Sequence, residues 1–297
     1  MAAGLASGPL AQTRVLFAFA GRTLAVDVRD EPSAEILNST YGALRSDPAR
    51  TAHHTAALRR MGDGRLHVRF DRRVLSTGEG ASPSPLLSSY YALKEVFARF
   101  SAAVPGSLAF YGASVTIDGA AVMLIGPSYS GKTVLALQLA ANGALLLGDE
   151  TVCLDLRAGM ARALARLPAL REAALPFLPA AMRASIEQSQ RVVQTARGRF
   201  WYGLGAQDLG GIKPAERDHR LRAIFILRDR GEEPQARASD PERSLPTLLQ
   251  RAYSRPFQLL EVAAAKRALR NVAVFDLQTG RPQETAELIV RTVRACA

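Results

Sequence analysis

Residues 110–156 read FYGASVTIDGAAVMLIGPSYSGKTVLALQLAANGALLLGDETVCLDL. Inside this stretch, Gly126-Pro127-Ser128-Tyr129-Ser130-Gly131-Lys132-Thr133 fits the pattern G-x-x-x-x-G-K-[ST]. Glycines in such a loop let backbone N–H groups close around phosphate oxygens, and the helix that follows adds its positive N-terminal end. The lysine reaches the β- and γ-phosphates, and the threonine hydroxyl can ligate Mg²⁺. The context agrees, with an apolar strand (AVMLI) before the loop and a run of helix formers (VLALQLAA) after it. Only four lysines occur in the chain, Lys94, Lys132, Lys213 and Lys266, and one of them falls on the required position. Gly126 to Thr133 are therefore expected to hold the phosphates of ATP, with Lys132 on the transferred phosphoryl group and Thr133 at the metal.

Further along, Asn142-Gly143 caps the helix, and a short buried strand (ALLL) leads into Gly148-Asp149-Glu150. An acidic pair at a strand end beside a phosphate loop can place one carboxylate on Mg²⁺ and leave the other for an incoming hydroxyl. Upstream, residues 107–125 give two strands, LAFYGASVTI and AAVMLI, turning at Asp118-Gly119, a strong hairpin signal.

Outward from this block the signals weaken. Residues 13–28 form two β-rich runs around Gly21, and 65–75 alternates like one half-buried strand, with a loop expected between them. GEGASPSP at 78–85 punctuates the chain as a linker. Leu86, Tyr90, Leu93, Phe97 and Phe100 then mark one apolar helix face, starting near Ser88 or Ser89 and closed by Val104-Pro105-Gly106. After the block, 160–200 is rich in Ala, Arg and Pro and gives no clear period. Leu221–Leu227 reads as a strand, 229–246 as polar loop, and 244–270 and 282–295 as helical. The pattern is mixed α/β around a sheet.

The 107–156 block resembles the catalytic domain of bacterial HPr kinase/phosphorylase and the related small serine kinases. That family shows a strand pair, a Gly-x-Ser-x-x-Gly-Lys-[ST] loop, a helix ending in Gly, an apolar strand and an acidic pair. A weaker resemblance runs over 199–228 (RFWYGLGAQDLGGIKPAERDHRLRAIFILR). Before residue 105 nothing resembles the amino-terminal domain of the full-length enzyme. The resemblance implies a β-rich region plus linker helix over 1–104 and an ATP-binding catalytic domain over 105–297. It also implies a fold similar to that of phosphoenolpyruvate carboxykinase, and ATP- and Mg²⁺-dependent phosphorylation of a serine hydroxyl on a small protein or peptide. On this likeness Lys132 and Thr133 take phosphate and metal roles, Asp149 is the acid/base, and Glu150, replacing the family's second aspartate, serves the metal. Tyr111 stands where the family commonly has a histidine, which bears on the reverse reaction, phosphorolysis, more than on kinase activity. The family's Glu-x-Arg-Gly metal segment has only a loose candidate in Arg171-Glu172. Truncated relatives also tailor ribosomally made peptides, lasso-peptide precursors among them.

Composition bounds the alternatives. The 297 residues are 48% hydrophobic and 22% charged, ordinary for a globular chain. Gln138 and Asn142 break the longest apolar stretch, so a membrane helix is not expected. Arg14 is the first basic residue, with no charged segment ahead of an apolar one, so no secretory signal is expected. Cys153 and Cys296 lie far apart, which points to a reduced, cytoplasmic setting and against a side-chain metal site built from cysteines. The net charge is +11, with 24 basic and 15 acidic residues in 151–297. No RNA-binding or zinc-finger signature accompanies that charge, so nucleic acid is disfavoured. The eight arginines of Arg157–Arg199 suit an anionic partner, or are only a solvated helix face. A homo-oligomer is allowed. Two other functions stay open: a nucleotide-gated binding or regulatory module without transfer, and a small-molecule phosphotransferase.

Overall fold

The computed structural model describes residues 13–75, 84–164, 166–212, 214–253 and 259–296. Its contacts divide the chain into two units, Met1–Phe97 and Ala98–Ala297.

In the first unit, β1 (Thr13–Phe19) and β2 (Arg22–Val28) form a hairpin around Ala20 and Gly21. Both turn residues have positive φ, 49° and 75°, the twist that two-residue hairpins favour. Helix α1 (Glu31–Tyr41) and β3 (His54–Arg60) follow, then β4 (Leu66–Phe70) and β5 (Arg73–Leu75), in sheet order β1-β2-β3-β4-β5. Two features depart from the sequence reading. A loop was expected between the strand regions, but β2 and β3 pair in parallel, and parallel neighbours need a crossover, which α1 supplies. Asp30 caps it, accepting from Ser33 N at 3.1 Å, and Pro32 stands in the first turn, where its missing N–H costs nothing. The single strand expected over 65–75 is a hairpin broken at Asp71 (φ 50°), whose carboxylate accepts from Thr55 N at 2.9 Å. The linker at 78–85 lies outside the described residues up to position 83. Helix α2 (Pro85–Ala102) buries Tyr90, Leu93, Phe97 and Phe100, the face its spacing indicated, and within the first unit Phe97 stacks on Tyr41 at 3.7 Å.

The second unit begins with β6 (Ser107–Phe110), β7 (Gly112–Ile117), β8 (Ala120–Ile125), α3 (Lys132–Ala141), β9 (Leu146–Asp149) and β10 (Val152–Asp155). There follow β11 (Met160–Arg162), β12 (Leu170–Arg171), α4 (Ala180–Gln188), β13 (Val192–Thr195) and β14 (Gly198–Trp201). The rest are β15 (His219–Arg230), β16 (Gln235–Ser239), α5 (Pro241–Gln250), α6 (Leu259–Leu269), β17 (Ala273–Thr279) and α7 (Pro282–Ala295). β8, β15 and β17 run parallel at the centre, and β7 and β16 flank them antiparallel. Residues alternate across these strands. Val122, Leu124, Phe225 and Leu277 pack with α3 and α7 residues in one core, and Met123, Ile125, Ile224 and Val274 pack with α5 and α6 residues in another. The architecture is mixed α/β with several sheets; a separate three-stranded sheet has the order β12-β14-β13.

Three sequence readings are corrected here. The strand expected over LAFYGASVTI is two, β6 and β7, interrupted at Tyr111, whose N–H donates to Arg251 O at 3.0 Å. The polar loop expected over 229–246 holds β16, an exposed edge strand whose pairing with β17 its sequence does not announce, and the capped start of α5. The helix expected over 244–270 is two helices, α5 and α6.

Gly112 shows why the break is abrupt. A Cβ there would lie 2.7 Å from Leu124 O and 2.8 Å from Ile125 Cδ1. Gly112→Ala is expected to destabilise the fold by about 1–3 kcal/mol, measured by denaturant unfolding; unchanged stability would refute the close approach. Cys153 is fully buried, which pushes its thiol up to about 12, whereas Cys296 is exposed. A thiol reagent such as Ellman's should therefore titrate one cysteine in the native protein and two after denaturation.

Candidate active site

The parallel centre sends the end of β8 directly into Gly126, and α3 starts at Lys132. Gly126 passes so close to β15 that a Cβ would sit 3.0 Å from Leu227 Cβ and 3.0 Å from Ser130 Oγ. Gly131 takes φ 90° as the residue before the helix. The first N–H groups of a helix have no intrahelical partner, so the start of α3 presents donors and a partial positive charge to the loop it follows. Tyr129 takes φ 66° and is 71% exposed. A bulky residue with positive φ is an outlier of the kind that gathers at functional sites.

Lys132 is buried, and its ammonium curls back over the loop. Nζ donates to Pro127 O at 2.6 Å and to Ser130 Oγ at 3.3 Å, and stands 4.4 Å from the Tyr111 ring centroid. Ser128 Oγ donates to the Tyr111 hydroxyl at 3.4 Å. Burial, then the charge of Glu150, pushes the Tyr111 hydroxyl up to about 12, so it stays protonated at neutral pH.

Asp149 is the last residue of β9, the strand beside β7, and it is 2% exposed. Thr133 Oγ1 donates to Asp149 Oδ1 at 2.8 Å, joining the loop to the acidic pair. Asp149 Oδ2 is buried and has no hydrogen-bond partner among the described residues. Burial, then the negative charge of Glu150, raises the Asp149 carboxyl to about 6, opposed by Arg166, the Thr133 hydrogen bond and Lys132. The strand pleat does not carry on to Glu150, which turns out of β9 at φ 65°, and its backbone carbonyl accepts from the Tyr253 hydroxyl at 3.0 Å. Burial, then Glu150, raises the Tyr253 hydroxyl as well.

The chain thus brings Lys132, Thr133, Asp149 and Glu150 together where β8 and β9 end, with Tyr111 over the lysine. Two neighbours escaped the sequence reading. Arg166, 2% exposed, donates from Nη1 to Asp149 O at 2.9 Å. One arginine among eight in a stretch without clear period carries no sign of such a place. Tyr253 arrives from the end of α5, about a hundred residues downstream, where Phe110 bridges Ala252 and Tyr253 N donates to Ala109 O at 2.8 Å. Arg171-Glu172, the loose metal candidate, lies on and beside β12, and Glu172 holds Arg199 at 2.8 Å.

A hydroxyl and two carboxylates offer hard oxygen donors, the set that Mg²⁺ takes. No group of three or more His, Cys, Asp or Glu suited to a metal ion occurs among the described residues. A cation here would therefore complete its shell with phosphate and water oxygens, as Mg²⁺ does at nucleotide sites. The partnerless Asp149 Oδ2 fits such a neighbour.

No protein-family model matches the chain, and no curated protein matches it. Among solved structures, the chain is similar to the Hpr(Ser) kinase/phosphatase from Coxiella burnetii, with 15% identity and a TM-score of 0.32. The likeness covers 63% of this chain and 94% of that one. No described helix is long and apolar enough to cross a membrane.

Proposed function

We propose that the protein is an ATP-dependent kinase that transfers the γ-phosphoryl group to a serine hydroxyl of a small protein or peptide, such as a ribosomally made precursor of the lasso type. The observation that most supports this is the 2.8 Å contact between Thr133, in the Gly126–Thr133 loop, and Asp149. It sets a buried carboxylate with an open oxygen beside the residues that would cradle a triphosphate. Phosphoryl transfer asks the protein mainly for positioning and charge neutralisation. The loop amides and Lys132 would hold the β- and γ-phosphates. Asp149 would accept the proton of the acceptor hydroxyl as the new oxygen–phosphorus bond forms and the bond to the β–γ bridging oxygen breaks, releasing ADP. Thr133 and Glu150 would hold Mg²⁺, which when bound offsets the charge spread over the two phosphates. Tyr111, protonated at neutral pH, would donate a hydrogen bond and leave proton abstraction to Asp149. In this reading the catalytic unit is 105–297, its finer fold is similar to that of phosphoenolpyruvate carboxykinase, and the setting is cytoplasmic.

Incubation with γ-labelled ATP, Mg²⁺ and a panel of serine-bearing proteins and peptides tests the proposal. It predicts acid-stable label on an acceptor. ATP that binds and is never spent would favour the nucleotide-gated module, and label on small hydroxy compounds alone would favour the small-molecule phosphotransferase.

A further inference from the structure

Several of the eight arginines from Arg157 to Arg199 are engaged inside the second unit. Arg162 pairs with Asp155 at 2.6 Å, Arg191 donates to Gly203 O at 2.7 Å, and Arg199 pairs with Glu172. Two others converge on the exposed Tyr129. Arg171, on β12, holds its guanidinium carbon 5.2 Å from the Tyr129 ring and 5.6 Å from that of Phe200. Arg197 reaches the Tyr129 hydroxyl from Nη1 at 3.4 Å. It is exposed and pairs with no carboxylate among the described residues.

The hairpin that carries Arg197 is firmly built. Thr195 Oγ1 donates to Gly198 O at 2.6 Å and accepts from Arg197 N at 3.1 Å. Gly198, at φ 93°, lies so close to Glu172 that a Cβ would fall 2.5 Å from Oε2. Glu172 in turn accepts from Arg199 N at 2.9 Å. An outward-facing ring with two guanidiniums against it thus stands three positions before Lys132.

We propose that Tyr129, Arg171 and Arg197 form a docking surface for an acidic peptide, the acceptor of the phosphoryl group; the inference rests on the kinase reading above. A guanidinium that spends one N–H on a tyrosine keeps others in a fork that matches a carboxylate. A tyrosine ring adds contact area at little entropic cost. Tyr129 lies within about 10 Å of chain from Lys132, and its side chain carries the reach on to Arg197, so a carboxylate seated there belongs within a few residues of the acceptor serine. Two guanidiniums gathered at one point suit a carboxylate or two, whereas a nucleic-acid strand calls for a track of unmatched cations.

Two fluorescein-labelled peptides test this, one serine flanked by glutamates at about three residues and a twin with glutamine for glutamate. Anisotropy titrations at 50 and 500 mM salt are run with Mg·ATP affinity measured in parallel. The glutamate peptide is expected to bind the wild-type protein at least about tenfold more tightly at low salt, an advantage that high salt erases by screening. Arg171→Gln/Arg197→Ala should abolish the advantage and keep Mg·ATP affinity within about twofold. If the double variant fails to fold, Arg197→Ala alone, at an exposed hairpin tip, should cut the advantage at least about threefold. Equal binding of the twins, a preference that survives the variants, lost Mg·ATP affinity, or stronger competition by an oligonucleotide of equal charge would each overturn the proposal. A wild-type protein that prefers the glutamate peptide but does not bind Mg·ATP would overturn the kinase reading instead.

Discussion

Asp149→Asn is expected to bind Mg·ATP as the wild-type protein does and to transfer phosphate roughly 10²–10⁴-fold more slowly. Asparagine keeps the size of the side chain and can still accept from Thr133 Oγ1, now at 2.8 Å from Asp149 Oδ1, so the loop should keep its shape. It loses the negative oxygen that would take the proton of a serine hydroxyl, a poor nucleophile unaided. A second readout separates this loss from misfolding. The native carboxyl is raised to about 6, from a usual 3.8, chiefly by burial. Its ionised form therefore costs stability above that pH, and the cost vanishes below the usual value, where both folded and unfolded states hold the proton. The variant should melt at a higher temperature than the wild-type protein at pH 7–8, and the gap should close between about pH 6 and pH 4. Transfer at the wild-type rate would put the base elsewhere.

Lys132→Ala carries the second large effect. The buried ammonium rests on Pro127 O and Ser130 Oγ, under the Tyr111 ring, where a phosphate oxygen could take over from the loop's own acceptors. Charge-assisted contacts to phosphate are worth roughly 1.5–3 kcal/mol, so ATP affinity or turnover should fall about tenfold or more. Alanine suits the first turn of α3, and a folded variant is expected. Unchanged binding and turnover in that variant would remove the phosphate-loop reading. Glu150→Gln should instead raise the Mg²⁺ concentration needed for half-maximal transfer, with ATP affinity in excess metal unchanged.

The loop and the acidic pair were legible because both are local: a strand, eight residues, a helix and a strand lie within some thirty positions and need no distant partner to be read. Asp118 and Gly119 turn the β7–β8 hairpin where the sequence put it, with φ of 49° and 78°. The surroundings of the site were not legible, for two physical reasons. Tyr253 meets Glu150 across about a hundred residues, and Arg166 reaches Asp149 O from a stretch with no clear period. β16, QARAS, lies at a sheet edge and sets only the small Ala236 and Ala238 against its polar residues, so its apolar signal is faint and only the pairing with β17 reveals it. Nothing in the sequence marked the left-handed turn at Glu150, since a glutamate carries no sign of positive φ as glycine does. Helix α1 had a readable start in Asp30-Glu31-Pro32, but its short apolar face, Ile36, Leu37 and Tyr41, was too sparse to show its period.

The most direct test is a single turnover with γ-labelled ATP, Mg²⁺ and a serine-bearing acidic peptide, followed by mass spectrometry of the acceptor, with wild-type and Asp149→Asn proteins side by side. The account predicts phosphoserine in the wild-type reaction and roughly 10²–10⁴-fold less per unit time in the variant, with equal Mg·ATP occupancy in both. Full Mg·ATP occupancy with no label on any hydroxyl in the wild-type reaction, or equal label in both, would contradict it.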